Sequence, residues 1–389
     1  MMHDSSLSKT SNNRYEIIDL LRGIAILLVV IRHVQLRIPF EKTYLFSNLP
    51  DQIFSAVFIS GSQGVLIFFV ISGFIITMTS LNRNPNLNKI NITEFYSFRF
   101  ARIAPCLIAL LTILTALHYL NVKDYVINSK FSYSEALLSA LTFHLNWLEG
   151  SKGYLPGSWD VLWSLSVEEV FYLAFPLVCF ISRRKEVLYI ALVSLIVIGP
   201  FYRVSLEGNH IWQSKAYLSC MDSIAIGCLC ALLSHKRTIP TSTLKAFSII
   251  GTVLIVFVLM AKRDPSFSVF NEISMFNTTI SIGVGLLLVS SVRKTLSPAI
   301  QILLRPLIAY GRLSYEVYLT HMFVVYSAVR LYKKYQVSLD NAVACLIAIL
   351  FVSAILGYIV ERFFSKPMNV WIRERYREKT ASIAKHNNG

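Results

Sequence analysis

The sequence has few charged residues, and this scarcity argues against a soluble globular protein. Only 15% of its 389 residues are Asp, Glu, Lys or Arg, whereas soluble chains carry roughly 25%. Hydrophobic residues make up 54% of the chain. A soluble domain of this length would need far more polar surface to cover its core. We therefore predict an all-α, polytopic integral membrane protein that is surrounded by lipid over most of its length.

Other absences narrow the function. The six cysteines lie in apolar runs and form no C-x-x-C pair, so the sequence indicates neither a zinc site nor a disulfide framework. No small-residue cleavage site follows the first apolar run, which favours a retained helix over a signal peptide. No internal repeat and no soluble catalytic domain stand out. If the chain is an enzyme, we expect its chemistry to lie in the membrane segment, with no metal and no permanently bound cofactor.

Apolar runs long enough to cross a bilayer recur along the chain. A span needs about 20 mostly apolar residues. We place about ten spans, at roughly 16–38, 52–81, 95–120, 160–182, 187–203, 215–234, 242–261, 274–291, 305–329 and 341–364. The segment 133–148 is amphipathic, which is typical of a surface or re-entrant segment.

The basic residues predict the orientation of these spans. The net charge is +15, and Lys and Arg lie mainly between and beyond the apolar runs, so anionic lipid explains them better than nucleic acid. They are more frequent on the side of both termini, which predicts that both are cytoplasmic. We divide the chain into a cytoplasmic N-terminal tail (1–15), a transmembrane domain (16–364) and a basic cytoplasmic C-terminal tail (365–389).

Three of the ionisable residues in the first span stand out, because such residues are costly to place in a membrane. Asp19 and Arg22 lie near its start and His33 lies deeper. Eleven residues separate Arg22 from His33, about three helical turns, so both lie on one face roughly 16 Å apart. This spacing suggests two stations along one cavity. The alternative is an arginine that snorkels to the interface and a histidine that is hydrogen-bonded between helices.

Two arginines lie at the cytoplasmic mouth of the third span. Arg99 and Arg102 are three residues apart and therefore share a helix face. Guanidinium groups in this arrangement suit phosphate binding through forked hydrogen bonds. The alternative is that both arginines only set the membrane topology.

The fourth span opens with the sequence Trp163-Ser164-Leu165, followed by Glu168 and Glu169. Adjacent residues point about 100° apart on a helix, so we expect that the two carboxylates cannot both face one site. One of them could orient a histidine or neutralise an arginine. The alternative is an interfacial helix start, which favours acidic residues.

A further polar pattern lies in the ninth span. Ser314, Tyr318 and His321 fall near one helix face, with Tyr315 beside them. Such a group inside an apolar span is, by itself, more often a packing feature than a functional one.

The second span contains glycines on either side of a polar residue. Gly64 and Gly73 permit either a close approach of helices or a break in the helix, and Ser72 lies next to Gly73. This segment alone also predicts packing rather than chemistry.

Together these five segments resemble the acyltransferase-3 family, the bacterial membrane O-acetyltransferases of surface glycans. The matches occur in family order from residue 16 to about 325. Val170 stands where the family usually has Gln after the paired acids. The resemblance is carried by Asp19, Arg22, His33, Ser72, Gly73, Phe74, Arg99, Arg102, Pro105, Trp163, Ser164, Leu165, Glu168, Ser314, Tyr315, Tyr318 and His321.

The resemblance implies an acyl-CoA donor on the cytoplasmic side, which we expect to be acetyl-CoA. The implied acceptor is a hydroxyl of a cell-surface polysaccharide or a lipid-linked sugar. Arg22, Arg99 and Arg102 would bind the CoA phosphates. His33 would act as general base on the sugar hydroxyl, because an imidazole titrates near neutral pH, and Glu168 would orient it or pair with its charge.

The remaining residues of the family pattern would bind substrate or support the site. Direct transfer and a covalent acyl-histidine intermediate both stay open, and the sequence does not indicate an oligomeric state. The expected location is the bacterial inner (plasma) membrane, and the expected partners are acyl-CoA, the glycan acceptor and membrane lipid. The supporting residues are Asp19, Ser72, Trp163, Ser164, Tyr315, Tyr318 and His321.

A secondary transporter or proton-coupled exporter is the competing class. Intramembrane His, Glu and Arg residues also form proton relays. Transporters often contain two halves related by an internal repeat, and the absence of a recognisable repeat in this sequence argues against that class.

Overall fold

Helices form the whole secondary structure of the described chain. The computed structural model describes residues 16–182, 184–235, 238–261, 265–272, 274–292 and 296–387, and these contain no β-strand. The predicted N-terminal tail lies outside the described residues. The first nine α-helices are α1 (Glu16–Gln35), α2 (Asp51–Phe54), α3 (Gly61–Arg83), α4 (Ile92–Tyr119), α5 (Tyr133–Leu141), α6 (Leu145–Lys152), α7 (Gly157–Asp160), α8 (Leu162–Ile181) and α9 (Lys185–Ser205).

The second half of the chain is helical as well. Its helices are α10 (His210–Lys215), α11 (Tyr217–Ser234), α12 (Thr241–Ala261), α13 (Ser268–Glu272), α14 (Met275–Ser291), α15 (Pro298–Arg312), α16 (Ser314–Lys334), α17 (Ala342–Val360) and α18 (Lys366–Asn387). Short 3-10 turns lie at Phe40–Lys42, Leu87–Lys89, Pro265–Phe267 and Leu339–Asn341, and π-helical turns lie at Ser55–Ile59 and Glu361–Ser365.

Each of the ten predicted spans contains an α-helix of 17 residues or more. Among the described residues, seven helical segments are long and apolar enough to cross a membrane: Gly61–Arg83, Ile92–Tyr119, Gly157–Ile181, Glu186–Ser205, His210–Ser234, Thr241–Ala261 and Leu339–Ser382. The protein is therefore a multi-pass, all-α membrane protein. Helix α14 is apolar but shorter, and α1 and α16 contain the ionisable residues singled out above.

Two predicted spans are interrupted in the structure. The segment 52–81 begins with a short helix and a π-helical turn, and its long helix α3 starts only after Ser60. The segment 305–329 was predicted as one helix but breaks at Leu313, where α15 ends and α16 begins. This break places Ser314 and Tyr315 at the start of a new helix.

Local sequence explains where several helices begin. The side chain of Asn91 caps α4 by accepting a hydrogen bond from the Glu94 amide. Ser297 caps α15 in the same way, and Pro298 follows at the first helical position, where its missing N–H is harmless. The amphipathic segment near residue 140 forms the two short helices α5 and α6.

Close helix contacts depend on glycine. A Cβ atom on Gly73 would lie 2.0 Å from the carbonyl oxygen of Ile224, and one on Gly227 would lie 2.0 Å from that of Val70. Helices α3 and α11 therefore approach each other backbone to backbone, as the glycine-containing sequence of the second span predicts.

The C-terminal helix lies against the rest of the protein. Helix α18, in the region predicted as a tail, packs on α4, the helix that contains Arg99 and Arg102. The Ser365 hydroxyl donates a 2.7 Å hydrogen bond to the buried carboxylate of Glu316 on α16. This bond connects the start of α18 to the helix that contains Tyr315 and Tyr318.

Candidate functional site

Helices α1, α3, α4, α8 and α16 enclose a cavity of about 120 Å³. We call it the arginine cavity. Its polar lining consists of Arg22, Ser72, Arg99, Arg102, Ser164, Glu168, Ser314, Tyr315 and Tyr318. Eight of the twelve predicted site residues therefore meet here from five different helices, although they are up to about 300 positions apart in sequence.

Arg99 lies in an acidic cage. Its Nη2 atom is 3.2 Å from Oε1 of Glu169 and 3.5 Å from Oε2 of Glu168. The expectation that these two adjacent carboxylates could not face one site is therefore wrong. Their Cα atoms diverge around the helix, but each side chain is long enough to bend toward the same guanidinium group.

Glu168 belongs to this cage, and it forms no hydrogen bond or ion pair with His33. Its Oε2 accepts a hydrogen bond from the Tyr172 hydroxyl at 3.4 Å, and Tyr172 is also hydrogen-bonded to Ser72. The Arg99 guanidinium lies over the Tyr172 ring, 3.5 Å from its centroid. Of the two roles that the sequence left open for a carboxylate of this pair, the structure thus shows the pairing with an arginine, Arg99.

Asp19 connects two arginines at one end of the arginine cavity. Its carboxylate accepts a 3.0 Å hydrogen bond from Nε of Arg312 and lies 3.9 Å from Nη1 of Arg22. A Cβ atom on Gly311 would lie 1.8 Å from the Asp19 carbonyl oxygen, so α15 touches α1 at this point. Asp19 thus holds Arg22 only loosely, and the Arg22 guanidinium remains available to a ligand.

Arg102 has a different environment from Arg99. No carboxylate of the described residues forms an ion pair with it, and its guanidinium lies over the Tyr315 ring at 5.2 Å. The Tyr315 hydroxyl donates to the carbonyl oxygen of Ile103 at 3.3 Å. An arginine that is positioned by a ring but not neutralised is suited to binding an anion.

A second cavity, of about 290 Å³, lies next to the first, and we call it the histidine cavity. Its polar and aromatic lining includes Arg32, His33, Ser62, Tyr154, Asp160, Trp163, Ser214, Lys215, Asn277 and Tyr318. Val65 and Tyr318 line both cavities. The Tyr318 hydroxyl is hydrogen-bonded to Ser164 at 2.7 Å and to the Val161 carbonyl oxygen at 2.9 Å, which fixes the ring between the two spaces.

His33 and His321 lie side by side, with ring centroids 5.1 Å apart. His321 is fully buried, and its Nδ1 lies 2.8 Å from the Tyr318 carbonyl oxygen. Since a carbonyl oxygen only accepts, Nδ1 carries the proton and Nε2 is left as the basic nitrogen of His321. Nδ1 of His33 and Nε2 of His321 are buried without a hydrogen-bond partner among the described residues. The sequence pattern places this second imidazole near a helix face but does not show that it contacts His33.

Sequence reasoning missed a buried ion cluster in the histidine cavity. The Lys215 ammonium donates to Glu149 at 2.7 Å and to Asp160. It also lies 4.6 Å from the Tyr154 ring centroid and 5.5 Å from that of Trp163, the predicted supporting residue. Lys215 and Glu149 are buried, whereas Asp160 is partly exposed. A search for charges at span boundaries would have found Asp160 and Lys215, which open the predicted fourth and sixth spans.

The two cavities differ in what they can bind. The arginine cavity offers guanidinium groups to a negatively charged ligand. The histidine cavity offers aromatic rings, hydroxyl and amide groups and two imidazoles, one of them on its lining. A base in one space and an anion-binding group in the other suit a transfer between a charged molecule and a polar one.

Comparison with known proteins gives the family of this chain. The family model described as an acyltransferase domain, acyltransferase-3, matches residues 15–358. O-acetyltransferase OatA from Staphylococcus aureus strain NCTC 8325 / PS 47 is 25% identical over 335 residues, which cover 79% of this chain and 52% of the relative. The same protein from strain COL gives the same values.

The chain spans about half the length of these curated relatives. No solved structure gives a significant match. The match to the family model nevertheless extends from the first described helix to α17 and includes both cavities. The chain therefore belongs to the acyltransferase-3 family of membrane acyltransferases.

Proposed function

We propose that the protein is a membrane O-acetyltransferase that moves an acetyl group from acetyl-CoA to a hydroxyl of a cell-surface polysaccharide or lipid-linked sugar. The observation that supports this proposal best is the pair of neighbouring cavities: the first contains Arg22 and Arg102, the second contains His33, and Tyr318 lies between them. The name of the OatA relatives supports acetyl as the transferred group.

The donor would enter by the arginine cavity. CoA phosphates cannot enter hydrocarbon cheaply, so they need cations at the membrane surface. Arg22 and Arg102 would bind them directly. Arg99, which is already paired with Glu168 and Glu169, would add positive charge and hold α4 against α8. The pantetheine arm would then pass Tyr318 and bring the thioester to the histidine cavity.

The acceptor would occupy the histidine cavity. Sugars bind to sites that combine aromatic faces with hydrogen-bonding side chains, and this cavity has both. Trp163 and Tyr154 would contact the ring, and Asp160 would accept hydrogen bonds from hydroxyl groups. Lys215 is already neutralised by Glu149 and Asp160, so the cavity does not demand a charged acceptor.

His33 would remove the proton from the acceptor hydroxyl. The oxygen would attack the thioester carbonyl carbon, a C–O bond would form, and the C–S bond would break. The CoA thiolate would leave and take up the proton. His321, whose ring contacts His33, would position that imidazole. Proximity of the two substrates in adjoining spaces would supply much of the rate.

Radiolabelled acetyl-CoA added to membranes that contain the protein tests this proposal. We expect label in the glycan fraction, and none with the His33→Ala variant. Glycan acetyl signals should likewise disappear when the gene is deleted. Accumulation of an unmodified solute inside vesicles, without labelled glycan, would instead support a transporter.

We further propose that both termini lie in the cytoplasm and that the protein resides in the bacterial inner (plasma) membrane. This orientation supplies cytoplasmic acetyl-CoA to the arginine cavity. Reporter fusions at Gly389 and near Lys152 should report opposite sides of the membrane. An extracytoplasmic signal at Gly389 would overturn the orientation.

A further inference from the structure

A third cavity continues outward from the arginine cavity, and we call it the outer cavity. It has a volume of about 310 Å³ and shares Arg22, Arg99 and Arg102 with the arginine cavity. It adds two arginines that sequence reasoning did not single out: Arg83 at the end of α3 and Arg373 on α18. Five guanidinium groups thus surround one space, whereas Glu94 is the only carboxylate among its described lining residues.

The two added arginines gather around one aromatic ring. The Arg83 guanidinium lies 4.6 Å from the Phe98 ring centroid, and that of Arg373 lies 4.9 Å from it. Arg377 is also close to this ring, at 5.8 Å. Three cations around one phenyl ring repel one another, and this repulsion is relieved when an anion binds between them.

The charges of Arg83 and Arg373 are only weakly neutralised within the described chain, and we call these two residues the outer arginine cluster. Arg83 has a single distant ion pair, 3.9 Å to Glu94. No described carboxylate pairs with Arg373, and its Nε atom is buried without a hydrogen-bond partner among the described residues. The outer arginine cluster is therefore suited to binding a phosphate group, because it has hydrogen-bond donors without partners and one of them, Nε of Arg373, is buried.

The order of the three cavities gives this phosphate a position along the donor. The histidine cavity, which contains His33, adjoins the arginine cavity at Tyr318. The arginine cavity in turn adjoins the outer cavity, which contains Arg83 and Arg373, through shared arginines. A CoA thioester has the same order: the acyl group, the pantetheine arm, the pyrophosphate, and then a ribose with a separate 3′-phosphate.

We infer that Arg83 and Arg373 form the binding site for the 3′-phosphate of the CoA donor. This inference rests on the proposed function, since it assumes that acyl-CoA is the donor. It gives α18 a role in substrate recognition: the helix supplies one of the two arginines and closes the outer side of the site.

The test compares two donors that differ only in this phosphate. The purified full-length protein, in vesicles of zwitterionic lipid, is titrated with labelled acetyl-CoA and with labelled acetyl-3′-dephospho-CoA. We expect wild type to bind acetyl-CoA about tenfold more tightly, the effect of a charge-assisted hydrogen bond. Arg373→Ala and Arg83→Ala should each lose most of this preference and bind the dephospho donor as wild type does.

The matched control is Arg375→Ala. Arg375 lies on the same helix and is exposed, with its guanidinium over Trp371 at 5.2 Å and outside the outer cavity. This variant should keep the full preference. Arg373→Gln serves if the alanine variant does not fold, and normal binding of the dephospho donor shows that a variant is folded.

The inference fails if wild type binds the two donors equally, or if the Arg83 and Arg373 variants retain the preference. It also fails if these variants weaken both donors equally, or if their only defect is reduced association with anionic lipid in vesicles that contain it, which would indicate a lipid headgroup site. If wild type binds neither donor, the proposed function fails as well, so the two failures are distinguishable.

Discussion

The arginine cavity and the histidine cavity share Val65 and Tyr318 but treat charge in opposite ways. In the histidine cavity, Lys215 is neutralised by Glu149 and Asp160. In the arginine cavity, Arg102 has no acidic partner among the described residues. The histidine cavity is therefore suited to a neutral polar molecule, whereas the arginine cavity is suited to an anion.

The comparison also shows two ways in which a pair of carboxylates neutralises a cation. Glu168 and Glu169 come from adjacent positions and both pair with Arg99, whereas Arg102 on the same helix has no carboxylate partner among the described residues. Glu149 and Asp160 come from separate helices and hold Lys215, which joins α6, α7 and α10. The number of charged residues in a span does not show which of them can bind a ligand, because that depends on which charges are already paired in the folded protein.

The largest effect is expected in the histidine cavity, at the proposed base His33. His33→Ala should abolish acyl transfer while the protein still inserts and binds the donor, because the lost imidazole is the proposed base. Acyl transfer is measured with labelled acetyl-CoA in membranes normalised for protein amount. His210→Ala, at an exposed histidine, is the control. Near-normal transfer in His33→Ala would make this imidazole a packing residue.

The next effect tests whether the stability of the protein depends on the ion cluster of Lys215, Glu149 and Asp160 in the histidine cavity. Lys215→Ala leaves Glu149 and Asp160 without their partner, and we expect a loss of about 3–5 kcal/mol in stability. Thermal unfolding in detergent measures it. The triple variant Lys215→Met, Glu149→Gln, Asp160→Asn removes all three charges and should recover most of that stability. Loss of stability as large in the triple variant as in Lys215→Ala would contradict this account.

A smaller effect separates the arginines of the other cavity. Arg102→Ala should weaken apparent donor affinity about ten- to hundredfold with little change in the chemical step, and Arg102→Lys should recover part of it. Arg99→Ala should instead reduce stability, since it leaves two carboxylates unpaired. Adding Glu168→Gln and Glu169→Gln to Arg99→Ala should restore that stability. Donor titration and thermal unfolding, measured on the same preparations, decide between the two behaviours. Unchanged donor affinity in Arg102→Ala would overturn its assignment.

The smallest effect is expected at the exposed Lys152, which serves as a comparison for the buried Lys215. Lys152 forms an ion pair with Glu135 at 2.7 Å on the surface. Surface pairs of this kind contribute little, because both charges stay hydrated. Lys152→Ala should therefore leave the melting temperature and transfer unchanged, measured beside Lys215→Ala. A drop comparable to that of Lys215→Ala would mean that burial does not decide the effect.

The sequence predicted the helices better than their interruptions. Apolar runs indicate where a helix can cross lipid, and each of the ten predicted segments contains a helix, seven of them in segments of the described chain that are long and apolar enough to span a membrane. The break at Leu313 was missed, because the residues on either side of it are apolar enough to continue a span. Helices α1 and α16 are too polar for a simple span criterion, since they contain the groups that line the cavities.

Composition alone predicted an all-α membrane protein, because a chain in lipid must satisfy its backbone hydrogen bonds internally, as a helix does. The order of the polar motifs along the chain predicted the acyltransferase-3 family. Only the tertiary structure decided the pairing of charges: that Glu168 meets Arg99 instead of His33, that Lys215 closes a cluster, and that Arg373 reaches the outer cavity. These contacts join residues far apart in sequence, and a linear pattern holds no record of which helices meet or how far a side chain bends.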